Sequence, residues 1–453
     1  GDSTELINFF KLSFSARPKY FEYYSKDFSM SIDPIIGIGY DFSKKGYRQY
    51  GGGEIYGHVG ENWNYYLNFR DNTETGDKID RRKLFTNESG ISVLRSKSDL
   101  IDYSETRGGI SYAWSTGNIF AGKEFLHIGS SLESSVILSE KAPSFPMIRF
   151  EFFPVDWFRY NVIHGWLDSD LIDSSTIRNT GVSSTVLKRG QTYSRLKKFY
   201  VGHTFSFQPF NNFWITLGES IIYGDDLEYI YFLPLFYRLA DHYNSIGGDS
   251  GDNAQIFMNA SYFYKLINSK LYLSLFIDEL SPSDLFSGGD NAQVYALTLG
   301  TRVHDPLWKN SIFTIEFNAI RPYSYMNADQ LHSYASSSYS LGHWIGSNAV
   351  QYYFGLEQYF DSNFELKTFL NYVIKGSKEN LNSYYNKDRS TYPLLSGSKS
   401  DWGESGISII YTPFNSVSVE LNATYVSKAT GRFENEYKLT KGFTIGTFFR
   451  YGI

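Results

Sequence analysis

The sequence predicts an all-β fold: a transmembrane antiparallel β-barrel of about eighteen strands whose long extracellular loops fold in as a plug. Three observations carry that expectation. Stretches of alternating apolar and polar residues are joined in pairs by very short turns, long polar connections lie on the other side, and 18% of the residues are aromatic. Leu271, Leu273, Leu275 and Ile277 interleave with Tyr272, Ser274, Phe276 and Asp278. Val417, Val419, Leu421 and Ala423 do the same with Ser416, Ser418, Glu420 and Asn422. A period of two marks strands with unlike faces. The polar face carries Glu219, Asp278, Glu316, Glu365 and Lys367, charges suited to a wet lumen, so the apolar face is the one lipid covers.

The 453 residues read as one continuous barrel domain over 28–453, because no linker or shift in composition interrupts the strand units. Residues 1–27 form a short periplasmic N-terminal segment. The 38 Tyr and 37 Phe suit two aromatic girdles at the membrane interfaces. No apolar run approaches the roughly 18 residues of a membrane helix. The absence of Cys excludes disulfides and thiolate chemistry. A net charge of -6 argues against nucleic acid as a partner.

Eight turn signals join closely spaced strands: Glu61-Asn62, Gly117-Asn118, Val155-Asp156, Asn211-Asn212, Asn268-Ser269, Lys309-Asn310, Asp361-Ser362-Asn363 and Phe414-Asn415. Short turns of bacterial barrels face the periplasm. A first strand at 28–40 and a last at 443–452, with Phe443, Ile445, Phe449 and Tyr451 on one face, bring both ends back to that side. The exterior then receives nine connections: 41–50, 71–105, 126–146, 168–196, 223–253, 280–291, 321–348, 375–404 and 428–440. Residues 229–237, reading YIYFLPLFY, are too apolar for a solvated loop and are expected in the plug, with an exposed hairpin that meets a partner as the alternative. Gly251-Asp252-Asn253-Ala254-Gln255 recurs as Gly289-Asp290-Asn291-Ala292-Gln293, echoed by Ser347-Asn348-Ala349. Each opens a descending strand, as a ring of amides at the outer mouth or as ordinary turn chemistry.

Several short motifs in sequence order resemble the capsule assembly Wzi family of outer-membrane proteins. They are Gly122-Lys123, Ile128-Gly129-Ser130, Leu138-Ser139, Ala142-Pro143-Ser144-Phe145-Pro146, Glu219-Ser220, Tyr223-Gly224, Leu233-Pro234, Asp278-Glu279 and Leu341-Gly342-His343-Trp344-Ile345-Gly346. The resemblance implies an eighteen-stranded barrel in the bacterial outer membrane. It further implies a lectin that holds or organises capsular polysaccharide at the cell surface. The chain departs from that family in its first 27 residues, too few for the periplasmic helical region of its members.

Binding a polysaccharide requires flat rings for sugar C–H faces and polar groups for hydroxyls. Loop 321–348 supplies both, and the candidate ligand-binding residues are Arg321, Tyr323, Tyr325, Asp329, His332, Tyr334, His343 and Trp344. Under the alternative reading Tyr323, Tyr325 and Trp344 belong to the outer girdle, and His343 satisfies a buried carbonyl. Loop 223–253 carries Asp225, Asp226, Glu228, Asp241, Asp249 and Asp252 without EF-hand spacing, so a solvated acidic surface is expected rather than Ca²⁺. No metal, cofactor or catalytic residue is expected, since no H-E-x-x-H or G-x-S-x-G element is present. Glu54, Arg149, Glu151, Arg159, His164, His203, Glu219, Arg302 and Glu357 are assigned to the lumen, paired across it or lining a solute path. Expected partners are surface polysaccharide, outer-membrane lipid and lipopolysaccharide, and other envelope proteins. A porin or solute channel, or a structural subunit of an envelope complex, is the alternative function.

Overall fold

A computed structural model describes residues 20–452 apart from 78, 92–94, 98, 182–189, 233–251, 280–293, 378–391, 415 and 436–440. Eighteen long strands form the barrel. They are β1 (Phe28–Asp41), β2 (Gly46–Val59), β3 (Trp63–Thr75), β4 (Leu100–Trp114), β5 (Gly117–Glu124) and β6 (Phe145–Val155). Next come β7 (Phe158–Ile172), β8 (Arg195–Phe210), β9 (Phe213–Gly224), β10 (Asn253–Tyr264), β11 (Ser269–Glu279) and β12 (Val294–His304). The last six are β13 (Ser311–Ile320), β14 (Ala349–Tyr359), β15 (Phe364–Gly376), β16 (Lys399–Phe414), β17 (Val417–Ala429) and β18 (Gly442–Tyr451). Each pairs antiparallel with its sequence neighbour, and β1 pairs with β18 from Ile36↔Tyr451 to Asp41↔Gly446. Closure satisfies the backbone polar groups of the first and last strands along this seam, as the bilayer requires. Below that seam Phe21–Tyr24, within the N-terminal segment, pairs with Ile32 to Ser29 of β1.

Seven of the eight turn signals fall at short connections, Asn415 of the last lying outside the described residues, and the backbone explains their Asn content. Asn212, Asn268 and Asn310 take left-handed φ values of 67, 47 and 59°, a region Asn tolerates better than branched residues. One signal is displaced: Gly117-Asn118 opens β5, and Ser115-Thr116 makes the turn. Trp157, Phe210, Tyr264 and Phe360 are exposed beside these turns as a periplasmic girdle.

On the opposite side the first expected long loop is corrected. Residues 42–45 form a tight turn, in which Asp41 Oδ1 accepts from the amides of Ser43 and Lys44 at 2.9 Å. That local bond stood in for the longer connection expected over 41–50.

Along the wall the two faces separate as the alternation requires. Leu217, Ile256, Leu299, Leu370, Ile407 and Leu421 are exposed on the outer face. Inward from strands β9 to β14, Ser220, Gln255, Ser274, Thr298, Asn318 and Gln351 are all 0% exposed, because loops 126–146 and 321–348 lie against them. Val136, Ile137 and Leu138 of the first loop and Leu341 and Ile345 of the second join Phe85 and Phe433 in one apolar core inside the barrel. The same core takes in Tyr200, Phe257, Phe276 and Val373 from the strands, so the plug is packed onto the wall through apolar as well as polar side chains.

Candidate functional site

The plug is attached to the wall by polar bonds, and these define the outer half of the lumen. Glu316, on β13 and 1% exposed, accepts from Ser131 of the first loop at 2.7 Å, Tyr272 at 2.8 Å and Asn318 at 2.9 Å. Three donors let a carboxylate sit inside the barrel. Lys375 Nζ donates to the carbonyls of Ile345 (2.8 Å) and Ser347 (2.6 Å), and Lys198 Nζ to that of Ser333 (2.7 Å). Asn253 Nδ2 reaches His332 O at 3.0 Å and Asn348 Nδ2 reaches Ser396 O at 3.0 Å. Two of the repeated amides thus fasten loop carbonyls, whereas Asn291 lies outside the described residues. Lys141 Nζ, in the first loop, donates to Thr86 O at 2.7 Å and Glu88 O at 2.9 Å. Burial pulls its ammonium down to about 8.

The eight candidate ligand-binding residues fall into three places. Arg321 and Tyr323 meet Tyr392: the guanidinium donates to Tyr392 O at 3.4 Å and the Tyr323 ring stands edge-on to the Tyr392 ring at 5.2 Å. Asp329 is exposed and caps the turn Gln330–His332, accepting from Leu331 N at 2.9 Å. His332, buried beside it, lies 3.6 Å from Asp329 and 3.8 Å from Asp252. The third group is interior. Tyr325 donates to Val136 O at 2.7 Å while its own amide donates to Asp278 at 2.8 Å. Tyr334, 0% exposed, packs on Phe276 at 5.0 Å, and Trp344 stands edge-on to Phe85 at 4.8 Å. His343, also 0% exposed, accepts the Ile345 amide on Nδ1 at 3.3 Å, and burial lowers its pKa to about 3. These rings touch protein on all sides and stand in the plug rather than in a membrane girdle.

The mixture that sequence reasoning sought is exposed elsewhere, on the rim between β7 and β8. Arg195 bonds Asp168 and lies 2.9 Å from Asp170, Ser338 of the plug loop donates to Asp170, and the Tyr193 ring beside them is 52% exposed. Nothing in residue type singled these out. At the outer mouth, Lys83 lies 2.7 Å from Glu74 and 2.6 Å from Glu88, and Arg48 lies 3.2 Å from each of the same carboxylates. Burial opposes the Glu88 charge, but Arg48 and Lys83 hold its carboxyl down to about 2.

Three residues assigned to the lumen face the other way. His164, His203 and Glu219 share the outward face with Ile148, Val201 and Leu217, by their register in β7, β8 and β9. His164 bonds Tyr223 at 2.8 Å and His203 lies 3.8 Å from Glu219. A bare charge near the bilayer midplane costs up to about 2–4 kcal/mol, yet all three are buried. The segment 227–232 lies against this outer wall, with Phe232 stacked on His164 at 4.5 Å and the Tyr231 ring tilted against Tyr223 at 4.9 Å. Residues 229–232 are therefore outside the barrel and not in the plug; 233–237 lie outside the described residues.

Comparison with protein-family models and with curated proteins gives no match. Solved structures do match over nearly the full length. Wzi of Escherichia coli, described as an outer membrane protein involved in group 1 capsule assembly and a carbohydrate-binding β-barrel, aligns with 12% identity and a TM-score of 0.56, over 99% of this chain and 87% of that one. OccAB2 of Acinetobacter baumannii aligns with 10% identity and a TM-score of 0.51, over 94% and 97%. OccD3 (OpdP) of Pseudomonas aeruginosa aligns with 8% identity and a TM-score of 0.50, over 96% and 94%. At these identities the likeness is one of fold. With a closed wall, an apolar outer band and an aromatic girdle at one edge, the chain is an eighteen-stranded antiparallel β-barrel of the bacterial outer membrane.

Proposed function

We propose that the protein binds or organises polysaccharide at the cell surface, its plug serving as a rigid floor for the outer loops. The observation that carries this reading is the covering of the outer half of the polar wall from β9 to β14, where Ser220, Gln255, Ser274, Thr298, Asn318 and Gln351 are 0% exposed and a conducting pore would leave such side chains wet. A glycan approaching from outside meets Asp329, Arg321 and the rim formed by Tyr193, Arg195, Asp168 and Asp170. Tyr325, Tyr334, His343 and Trp344 hold the floor beneath it and contact sugar only where the plug loosens. The likeness to Wzi supports the carbohydrate reading without supplying a residue for it. Binding by fixed rings and hydrogen-bonding groups needs no chemical step and no cofactor.

A solute channel is the second reading, favoured by one feature: Tyr66, Ser111, Asn118 and Arg149, on the wall from β3 to β6, stay only half-buried. The test is titration of the purified barrel with the surface polysaccharide of its own host. Saturable binding weakened at least about tenfold by the combined change Tyr193→Ala and Arg195→Ala upholds the proposal. Absence of binding, together with solute flux through the barrel in vesicles, transfers the assignment to a channel.

A further inference from the structure

Below the plug, on the half-buried wall from β3 to β6, lies a cavity of about 290 Å³ lined by Tyr66, Ser111, Asn118, Phe120, Glu124 and Arg149. It belongs to the periplasmic half of the lumen, since Tyr66, Ser111 and Asn118 are each within a few residues of a short turn. Its aromatic side is built by the sequence. Gly109 and Gly122 leave bare backbone beneath the Phe120 ring, where an added Cβ would come within 2.4 and 2.7 Å of that ring. Tyr66 lies nearly parallel to Phe120, with centroids 6.2 Å apart and planes 17° apart.

The polar side is held in place by bonds among its own members. Glu124 accepts from Tyr66 and from Arg107 (3.2 Å) and the Phe125 amide (2.8 Å). Asn118 donates to Glu151 at 2.6 Å, and Arg149 lies 3.7 Å from Glu151 with its guanidinium 5.6 Å from the Phe120 centroid. Two cations thus face two carboxylates, and Glu105, 2.8 Å from Arg107, adds a third carboxylate. Preset donors and acceptors beside a flat ring, in a volume near the lower limit of ligand sites, suit one small hydroxyl-rich ring. The charge balance turns away an anionic one.

We propose that this cavity is a periplasm-facing binding site for a neutral sugar ring, separate from any glycan site on the outer face and independent of that reading. Asn118 and Arg149 donate to ring hydroxyls, Glu124 and Glu151 accept from them, and Tyr66 and Phe120 supply the apolar face. The Cys-free chain allows a direct test. In the full-length barrel carrying Ser111→Cys, maleimide labelling is followed with D-glucose, maltotriose or D-glucuronate present. Protection by either neutral probe is expected, labelling slowing about tenfold at roughly ten times the Kd. Stronger protection by maltotriose assigns a chain segment, and stronger protection by glucose a free ring; either upholds the site. In the same background Glu124→Gln weakens protection about tenfold, and Asn118→Leu, which replaces the amide with an apolar side chain of the same shape, abolishes it. Both variants keep the heat-resistant electrophoretic mobility of the folded barrel. Absence of protection by all three probes overturns the site, and protection by glucuronate alone overturns the neutral-ring assignment.

Discussion

Acid should loosen the plug through His343. The imidazole is fully buried and accepts the Ile345 amide on Nδ1, while Nε2 has no hydrogen-bond partner among the described residues. Protonation places a second hydrogen where the Ile345 N–H points and adds an unsolvated charge. Burial lowers the folded value from 6.5 to about 3. A folded pKa depressed below the unfolded one means that the unfolded plug binds protons more readily as pH falls. The stability is complete above about 6.5 and is lost progressively toward about 3. At about 1.4 kcal/mol per unit, two units below 6.5 remove about 2.7 kcal/mol of plug stability, roughly a hundredfold in the opening equilibrium. Amide exchange at Leu341, Trp344 and Ile345, corrected for intrinsic rates, measures this at pH 7 and pH 4.5. Exchange should speed about a hundredfold in the native chain, and His343→Gln should remove most of that dependence. Equal acid sensitivity in His343→Gln refutes the assignment to this residue.

Four further outcomes are expected. Lys375→Met leaves the Ile345 and Ser347 carbonyls without their ammonium and should cost about 2–4 kcal/mol of plug protection by amide exchange, with the barrel still heat-resistant. Tyr325, Tyr334 and Trp344 changed together to Ala should open the plug, since each deletion leaves a cavity worth about 3–5 kcal/mol; retained amide protection with lost glycan binding would return these rings to a ligand site. The Glu88 carboxylate at the outer mouth should hold its loop above pH 4.5 and release it as the pH falls toward about 2, and Glu88→Gln should lose that acid transition in amide exchange over 79–90. Tags after Asn268 should be hidden in intact cells and tags after Ser174 accessible; the reverse pattern inverts the barrel.

The wall was legible because its determinants are local. Alternation assigns faces, and Asn at φ-positive turn positions marks hairpins, so the eight short turns and the closing strand follow from neighbours in sequence. Reading failed where burial is decided by distant chain. Glu219 shares a parity with Leu217, which the alternation alone would have placed outward; its charge suggested the lumen because segment 227–232, which lies on that outer flank, could not be foreseen. The same segment advertises a need for burial through its apolar residues but not the side on which it is met. Loop 321–348 showed the residue types of a sugar site, yet the exposure of Tyr325, Tyr334 and Trp344 depends on loop 126–146, almost two hundred positions away. The lysines that fasten the plug, Lys198 and Lys375, were readable in retrospect as inward-facing cations near the outer ends of their strands.

Single-channel recording in a planar bilayer tests the central claim most directly, that loops 126–146 and 321–348 fill the outer lumen. The intact protein should show little or no steady conductance, and replacement of residues 130–140 by a short Gly/Ser link should produce large, discrete openings. Large, steady conductance from the intact protein, unchanged by that replacement, would contradict a plugged barrel.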